Sequence, residues 1–351
     1  MRISRRELGC ILPAALASCP LRAAAQSSNA VEAIANISGS DRNAMLEAGA
    51  KRERGLLLYT TGTQIEPLIQ GFQRKYSFLK VTVQRGTQAD IANRALAEHR
   101  AGYKKLDMFE LSSEGLILIR DANILQPFRS PQSAAFETAA IEPARHWAVV
   151  RESYTGIGIN TKAIPLSAAP KTYDDLLIPE WRGRMAMSGS ISTASNFVAT
   201  LVLSRGEDFV RKLGEQNIRI YPVTARALAN LMISGEVVLS PTIYNSHVEA
   251  SAAQGAPLAW VAPGPVPVTD TAVALAREAP SPHAAMLLID YLMSAEGQRI
   301  YGRLGYGSAR RDITKRVGNN SVEKLYLGNR PSYVREFAGW SKLYRDVFLR
   351  R

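Results

Sequence analysis

The chain has 351 residues, of which 46% are hydrophobic and 21% charged, and its formal net charge is +12. That is an ordinary globular balance, with enough material for two lobes rather than one small core. Both cysteines, Cys10 and Cys19, fall in the first 25 residues. Cysteine catalysis and cysteine metal sites are therefore excluded once that segment is removed, and no later run approaches the ~20 apolar residues of a membrane span.

Residues 1–25 read as a secretory signal peptide: a basic start (Arg2, Arg5, Arg6), an apolar stretch from Ile11 to Leu16, and Ala23-Ala24-Ala25 before Gln26. Ser4-Arg5-Arg6-Glu7-Leu8-Gly9 fits the twin-arginine export motif, and equally the plain positive charge any signal carries. Leu16-Ala17-Ser18-Cys19 is similar to a lipoprotein box, but Pro20 and the competing alanine site favour a soluble product. The leader holds Arg2, Arg5, Arg6, Arg22 and Glu7, so the +12 of the whole chain becomes +9 without it. The basic residues are spread along the chain and form no aromatic-interleaved patch, which argues for a solvated basic surface and against nucleic acid.

From Gly55 short apolar runs alternate with amphipathic stretches, as in an α/β sheet. Leu56–Tyr59 is a predicted strand, followed by the turn Thr60–Thr63 and a helix from about Ile65 to Tyr76 with Leu68, Ile69 and Phe72 on one face. Val81–Val83 is the next strand. Arg85-Gly86-Thr87 then turns into a helix carrying Ile91, Ala95 and Leu96. Leu106–Phe109 is a third strand, with Glu110–Ser113 at its end. In open α/β sheets that strand edge is where ligands bind.

The same grammar restarts after residue 150. Gly156–Ile159 is a strand, and Pro170–Leu177 begins a short capped helix that Pro179 stops. Met185–Met187 feeds Ser188–Ser195 and a helix through Leu203. Ile218–Tyr221 leads to Thr224-Ala225-Arg226 and another helix; Val237–Leu239 leads to Ser240-Pro241-Thr242 and a helix beginning near Tyr244. Pro263-Gly264-Pro265-Val266-Pro267 fits neither regular helix nor central strand and reads as a crossing between lobes. Thr271–Leu275 then returns to the first lobe as a strand. Ser281-Pro282 starts a helix to about Gly305, and Tyr326, Tyr333, Phe337, Trp340 and Tyr344 suit an amphipathic helical pair packed on a lobe.

Catalytic signatures are missing from the sequence: there is no phosphate-loop motif, no nucleophile elbow and no His-Glu-x-x-His. The four histidines, at 99, 146, 247 and 283, stand on different segments. His99 and His283 read as helix-surface residues and His247 as a cap or packing residue. Asp107 and Glu110 remain a possible carboxylate pair, which keeps a periplasmic hydrolase as the rival class, although Asp107 is better read as a strand-end residue.

Tyr154–Thr161, Pro170–Leu176, Trp181-Arg182-Gly183-Arg184, Ser234–Val237 and Leu292–Gln298 occur in an order that resembles the type 1 extracellular solute-binding proteins of ABC importers, especially the ferric-iron-binding branch. The resemblance implies an α/β, two-lobed periplasmic-binding-protein (Venus-flytrap) fold with a ligand cleft between lobes. It implies lobe 1 from 26–152 plus 268–305, lobe 2 from 153–267, and a C-terminal helical segment, 306–351, packing on the lobes. It also implies a periplasmic, monomeric partner of a permease and ATPase complex in the inner membrane, with no cofactor and no catalysis. A sensor domain would share the fold.

In iron-binding members two adjacent tyrosines hold Fe(III), helped by histidine and glutamate on the first lobe. Here the matching segment, Ile243-Tyr244-Asn245-Ser246-His247, has one tyrosine. Thr61-Gly62-Thr63 stands where the histidine belongs, and Ser112 or Ser113 where the carboxylate belongs. Hard Fe(III) wants anionic oxygens, so iron is the alternative ligand and a small anionic or polar organic solute is the first. The expected contacts are Thr61, Thr63, Ser112, Thr193, Ser195, Arg226 and Tyr244: hydroxyls and helix starts, with Arg226 able to fork onto a carboxylate or phosphate. Each Ser or Thr taken alone fits an ordinary helix cap. Arg226 fits the surface, and Tyr244 fits lobe packing as well as ligand stacking.

Overall fold

A computed structural model describes residues 29–62, 64–313, 323–330 and 332–349. The leader, with Cys10 and Cys19, and Thr63 lie outside the described residues. Helices α1 (29–35) and α2 (Arg42–Glu53) precede strand β1 (Gly55–Thr60). The chain then alternates through α3 (Glu66–Lys75), β2 (Lys80–Arg85), α4 (Gln88–Arg100), β3 (Met108–Leu111), α5 (Ser113–Asp121) and β4 (Leu125–Gln126). A 14-residue strand, β5 (Trp147–Asn160), opens a second alternation. It runs β6 (Ala186–Ser188), α6 (Ile191–Arg205), α7 (Glu207–Gly214), β7 (Arg219–Tyr221), α8 (Ala225–Ser234), β8 (Leu239–Tyr244), α9 (Asn245–Ala252) and β9 (Leu258–Val261). The return strand β10 (Val266–Ala276) precedes α10 (Pro282–Met293), α11 (Ala295–Arg303), β11 (Lys324–Leu325) and α12 (Tyr333–Tyr344).

The sheet order is β2-β1-β3-β10-β5-β8. β1, β2 and β3 are parallel, the arrangement that intervening helices allow, while β10 lies antiparallel to both β3 and β5. Two strands carry the sheet from one lobe to the other. Trp147 to Tyr154 of β5 pair with β10, and Thr155 to Asn160 pair with β8 and β9.

Four local expectations are corrected. Pro267 belongs to β10, tolerated because at Val266 and Pro267 the strand pairs only with the two-residue β11, and pairing with β5 begins at Val268. The helix from Ser281 stops at Ser294, whose side chain caps a new helix by accepting from Gly297 N at 3.2 Å. Instead of a helix from Pro170 there is only a 3₁₀ turn, Asp174–Leu177. The Asp175 carboxylate accepts from the backbone N–H of Lys171 and Thr172 at 2.7 and 2.9 Å, a local arrangement that competes with helix. The tail forms one α-helix, α12, running into a π turn at Arg345–Leu349, rather than a helical pair.

Helix α6 is buried from Thr193 through Leu201 without a solvent face, being sandwiched between sheet and α12. The glycines of Thr155-Gly156-Ile157-Gly158 have a packing reason. A Cβ at Gly156 would meet Trp260 Cζ2 at 2.5 Å and the Val261 carbonyl at 2.9 Å, and one at Gly158 would meet Ile243 Cγ2 at 2.3 Å. Gly156→Val is therefore expected to force β5 from β9 and destabilise by about 1–3 kcal/mol. Urea unfolding at unchanged m-value measures it; a variant as stable as the wild type contradicts this account of the motif.

Candidate functional site

Paired residues of an antiparallel ladder point to the same face. The pairs Thr271–Arg151 and Thr269–Ser153 therefore share one face of the crossing strands, and Asp270–Glu152 and Val268–Tyr154 share the other. The first face meets the C-terminal ends of strands from both lobes: Thr60–Gly62 after β1, Glu110 on β3, Ser188–Ser190 after β6 and Tyr244 at the end of β8. That convergence makes it the cleft.

On the first-lobe side the floor is charged. Arg151 Nη2 donates to Thr271 Oγ1 at 2.7 Å, its guanidinium lies 4.6 Å from the Tyr306 ring centroid, and Nε stands 3.6 Å from Glu110 Oε1. Glu110 is fully buried and accepts from Thr60 Oγ1 and from Tyr301 OH, the latter at 3.3 Å. Burial disfavours charge on Arg151, but Glu110 and the neighbouring tyrosines outweigh it and raise its pKa. Burial, reinforced by Glu110, pushes Tyr301 well above the usual phenol range, so it is a neutral donor. A Cβ at Gly62 would stand 2.7 Å from Glu110 Oε2, so only glycine lets the chain pass this close. Gly62, Gln64, Glu110, Arg151, Tyr301 and Tyr306 close together here around a narrow indentation.

On the second-lobe side, hydroxyls form a chain. Thr193 Oγ1 contacts Ser190 Oγ at 3.2 Å and Tyr244 OH at 3.3 Å, and Tyr244 OH reaches Thr269 Oγ1 at 3.3 Å. The His247 ring stacks edge-on against Tyr244 at 5.4 Å, and burial, then Arg226, lowers its pKa and keeps it neutral near pH 7.

The sequence-predicted contacts divide. Thr193 and Tyr244 come together in the cleft. Thr61 sits half-buried at the end of β1, beside Gly62. Ser112 is the N-cap of α5, accepting from Gly115 N at 3.3 Å and donating to Gln88 Oε1 at 2.5 Å. Arg226 is exposed at the start of α8, where Nη1 donates to the His247 carbonyl and to Ser251 Oγ at 3.3 and 3.0 Å. Ser195 is corrected: it is fully buried and hydrogen-bonded to Ser341 of α12 at 2.8 Å, because two positions beyond Thr193 the helix has turned to its tail-covered side. Thr63 lies outside the described residues.

Sequence reasoning missed Arg151, Thr269 and Tyr306, and gave Glu110 no binding role. Two of them had a signal: Arg151 interrupts the apolar run Trp147-Ala148-Val149-Val150, and Glu110 interrupts Met108-Phe109-Glu110-Leu111. A charge inside an apolar strand needs a partner. Asp107, by contrast, is structural. It accepts from Leu57 N and Ser281 N at 2.7 and 2.6 Å, and burial raises it to about 7. His283 is not a surface residue; its ring is half-buried against Glu53 at 2.6 Å. Among the described residues no group of three or more His, Cys, Asp or Glu is placed to hold a metal, and no helix is long and apolar enough to cross a membrane.

Two α/β lobes joined by antiparallel crossing strands, with strand ends converging on the cleft between them, define the two-lobed periplasmic binding-protein class. Residues 115–323 match the family described as bacterial extracellular solute-binding protein, and the chain belongs to that family. It is 24% identical over 160 residues to the Fe(3+)-binding periplasmic protein of Serratia marcescens, which spans 45% of this chain and 47% of the relative; the chain thus matches about half the length of that protein. Among solved structures it resembles the Trichodesmium IdiA (FutA) in complex with iron and citrate ligands: TM-score 0.70, 19% identity, covering 84% of this chain and 99% of that one. It also resembles the periplasmic binding protein AfuA from Actinobacillus pleuropneumoniae with exogenous fructose-6-phosphate bound: TM-score 0.65, 19% identity, 85% and 100% covered.

The opposite face of the crossing strands is acidic and sealed. Asp270 accepts from Ser113 N at 2.9 Å and from Ser113 Oγ, and burial, with Glu114 and Glu152 adding to it, raises its pKa from 3.8 to about 6. A carboxyl raised on folding holds its proton longer in the folded state, so it lowers stability as pH climbs from about 4 to 6. Relative to Asp270→Asn, the wild type is expected to lose up to about 3 kcal/mol of folding free energy across that window. Denaturant unfolding at pH 4, 5, 6 and 7 measures the difference; a constant offset removes Asp270 from the titration.

Proposed function

We propose that this protein is the exported solute receptor of an ABC importer. It closes two lobes, 26–152 plus 268–305 and 153–267, around a small polar or anionic organic solute. The tail, 306–351, packs on those lobes. The solute passes unchanged to a permease and ATPase complex in the inner membrane, and the receptor works as a monomer without a cofactor. The leader directs it to the periplasm, with Arg5-Arg6 fitting the twin-arginine route and cleavage after Ala25 releasing it free of Cys19.

The observation that carries this reading is the cleft face of β5 and β10, where hydroxyls of Thr193, Tyr244 and Thr269 stand opposite the Arg151 guanidinium. Neutral donors and one cation solvate an anion or a polyol. They are a poor set for Fe(III): one tyrosine reaches the second-lobe side, its hydroxyl engages two threonines, and the nearest carboxylate already faces an arginine. Among the described residues no nucleophile–base pair lines the cleft, and the arrangement supports capture better than hydrolysis.

A thermal-shift screen of residues 26–351 against citrate, phosphate, sugar phosphates, dicarboxylates and ferric ion tests this. A solute at ~100 times its dissociation constant is expected to add roughly 2.7 kcal/mol, with the small-angle-scattering radius falling on closure and the solute recovered intact. Tyr244→Ala is expected to weaken that binding by about tenfold or more. Turnover of the bound compound contradicts the receptor reading, and a response to ferric ion alone replaces the solute class with iron.

A further inference from the structure

Arg151 carries a feature that the fold does not explain. Its side chain is only 15% exposed, yet Nε is buried without an acceptor. Buried guanidinium groups are ordinarily saturated by carboxylates or carbonyls. Here the counter-ion supplies charge without hydrogen bonds. Glu110 lies 3.6 Å from Nε, beyond hydrogen-bond distance, while its oxygens accept from Thr60 Oγ1 and Tyr301 OH. The Tyr306 ring covers a face of the guanidinium at 4.6 Å and hydrogen-bonds Gln64 at 3.3 Å. Thr271 takes one in-plane donor and the aromatic takes a face, and the Nε N–H is left for another acceptor.

We propose that Arg151, on the floor of the cleft, is the subsite for the anionic group of the solute, a carboxylate or phosphate, and that Glu110 is its positioning residue. This rests on the solute-receptor reading and names the group that the receptor selects. An isolated buried cation is costly, so the empty protein needs a neutralising partner. Glu110 fills that role at a distance where an incoming anion breaks no hydrogen bond between the pair. The planar fork then meets a carboxylate or phosphate edge-on, the geometry in which arginine outperforms lysine. Arg226, whose Nη1 is engaged by the His247 carbonyl and Ser251, is not that residue.

The test is calorimetric titration of the protein purified from the periplasm with citrate, inorganic phosphate, fructose 6-phosphate, fructose and ferric ion. The expected result is that at least one of the three anions binds and fructose does not. Arg151→Gln weakens that binding by about tenfold or more, Arg151→Lys recovers part of it, and Arg226→Gln leaves it within about twofold. Citrate as the better ligand assigns a carboxylate; phosphate or its ester assigns a phosphate. In wild-type protein, independent of whether any variant folds, the bound anion should protect Arg151 from phenylglyoxal, read by peptide mass spectrometry. Unchanged affinity in Arg151→Gln, equal binding of fructose and its phosphate, or no protection overturns the subsite. Binding of ferric ion or fructose alone overturns it while solute capture stands; binding of none of the five overturns both.

Discussion

The antiparallel pairing of β5 with β10 is the constraint on which the rest of this molecule depends. Each strand is held on one side by the other and on its far side by a different lobe: β3 and β4 on β10, β8 and β9 on β5. The side-chain period of a strand is two, so the register decides what each face carries. Arg151, Ser153, Thr269 and Thr271 face the cleft; Glu152, Tyr154 and Asp270 face away from it. A slip of one residue would exchange them, placing two carboxylates where the solute belongs and an arginine against the tail.

That division of faces also explains why the chain continues past the second crossing. Asp270 and Glu152 are buried, and buried carboxylates need donors. Ser113 serves Asp270, and the C-terminal segment brings donors to Glu152. Lys324 Nζ stands 2.9 Å from Glu137 and 3.0 Å from Glu152, and Tyr326 OH donates to Glu152 and lies 3.1 Å from Glu137. Tyr333 OH donates to Glu114 at 2.5 Å and contacts Asn196 Oδ1 at 3.0 Å, while Asn196 Nδ2 donates to Glu114 at 3.1 Å. Glu114 lies on α5 and Asn196 on α6, so a single tyrosine of the tail ties a helix of each lobe at the side opposite the cleft. With Ser341 against Ser195, α12 seals the outer face of α6.

Much of this architecture was legible in the sequence, and the reason is periodicity. Apolar runs ended by Thr60–Gly62, Gly86-Thr87 and Thr224 announce strand-to-helix turns, and Thr87 and Thr224 do cap α4 and α8. What stayed hidden depends on which way a side chain points after long-range pairing. Ser195 and Thr193 are equivalent by type and stand at the same helix start, yet a rotation of two residues sends one to the tail and the other to the cleft. Arg226 was attractive because it follows a capping threonine, whereas Arg151 lay inside an apolar strand with no turn to mark it. Only the pairing of β5 with β10, more than a hundred residues apart, shows that this strand crosses between lobes and that Arg151 faces the gap.

The same scaffold at 19% identity holds iron with citrate in one solved protein and fructose-6-phosphate in another, so its shape alone does not select a ligand. On the proposal made above, selection falls to the charge at the floor. A ferric ion placed against Glu110 would sit within a few ångströms of the Arg151 guanidinium, and like charges in a partly desolvated cleft repel strongly. Removing that repulsion would require Arg151 to move away, and its stack on Tyr306 and its bond to Thr271 oppose such a movement. An anion meets the reverse situation. It approaches a cation already neutralised by a carboxylate whose hydrogen bonds go elsewhere, and it supplies the acceptor that Arg151 Nε lacks. In the proposed receptor the hydroxyl chain through Thr193, Tyr244 and Thr269 would serve the uncharged remainder of the solute, since each hydroxyl can donate or accept.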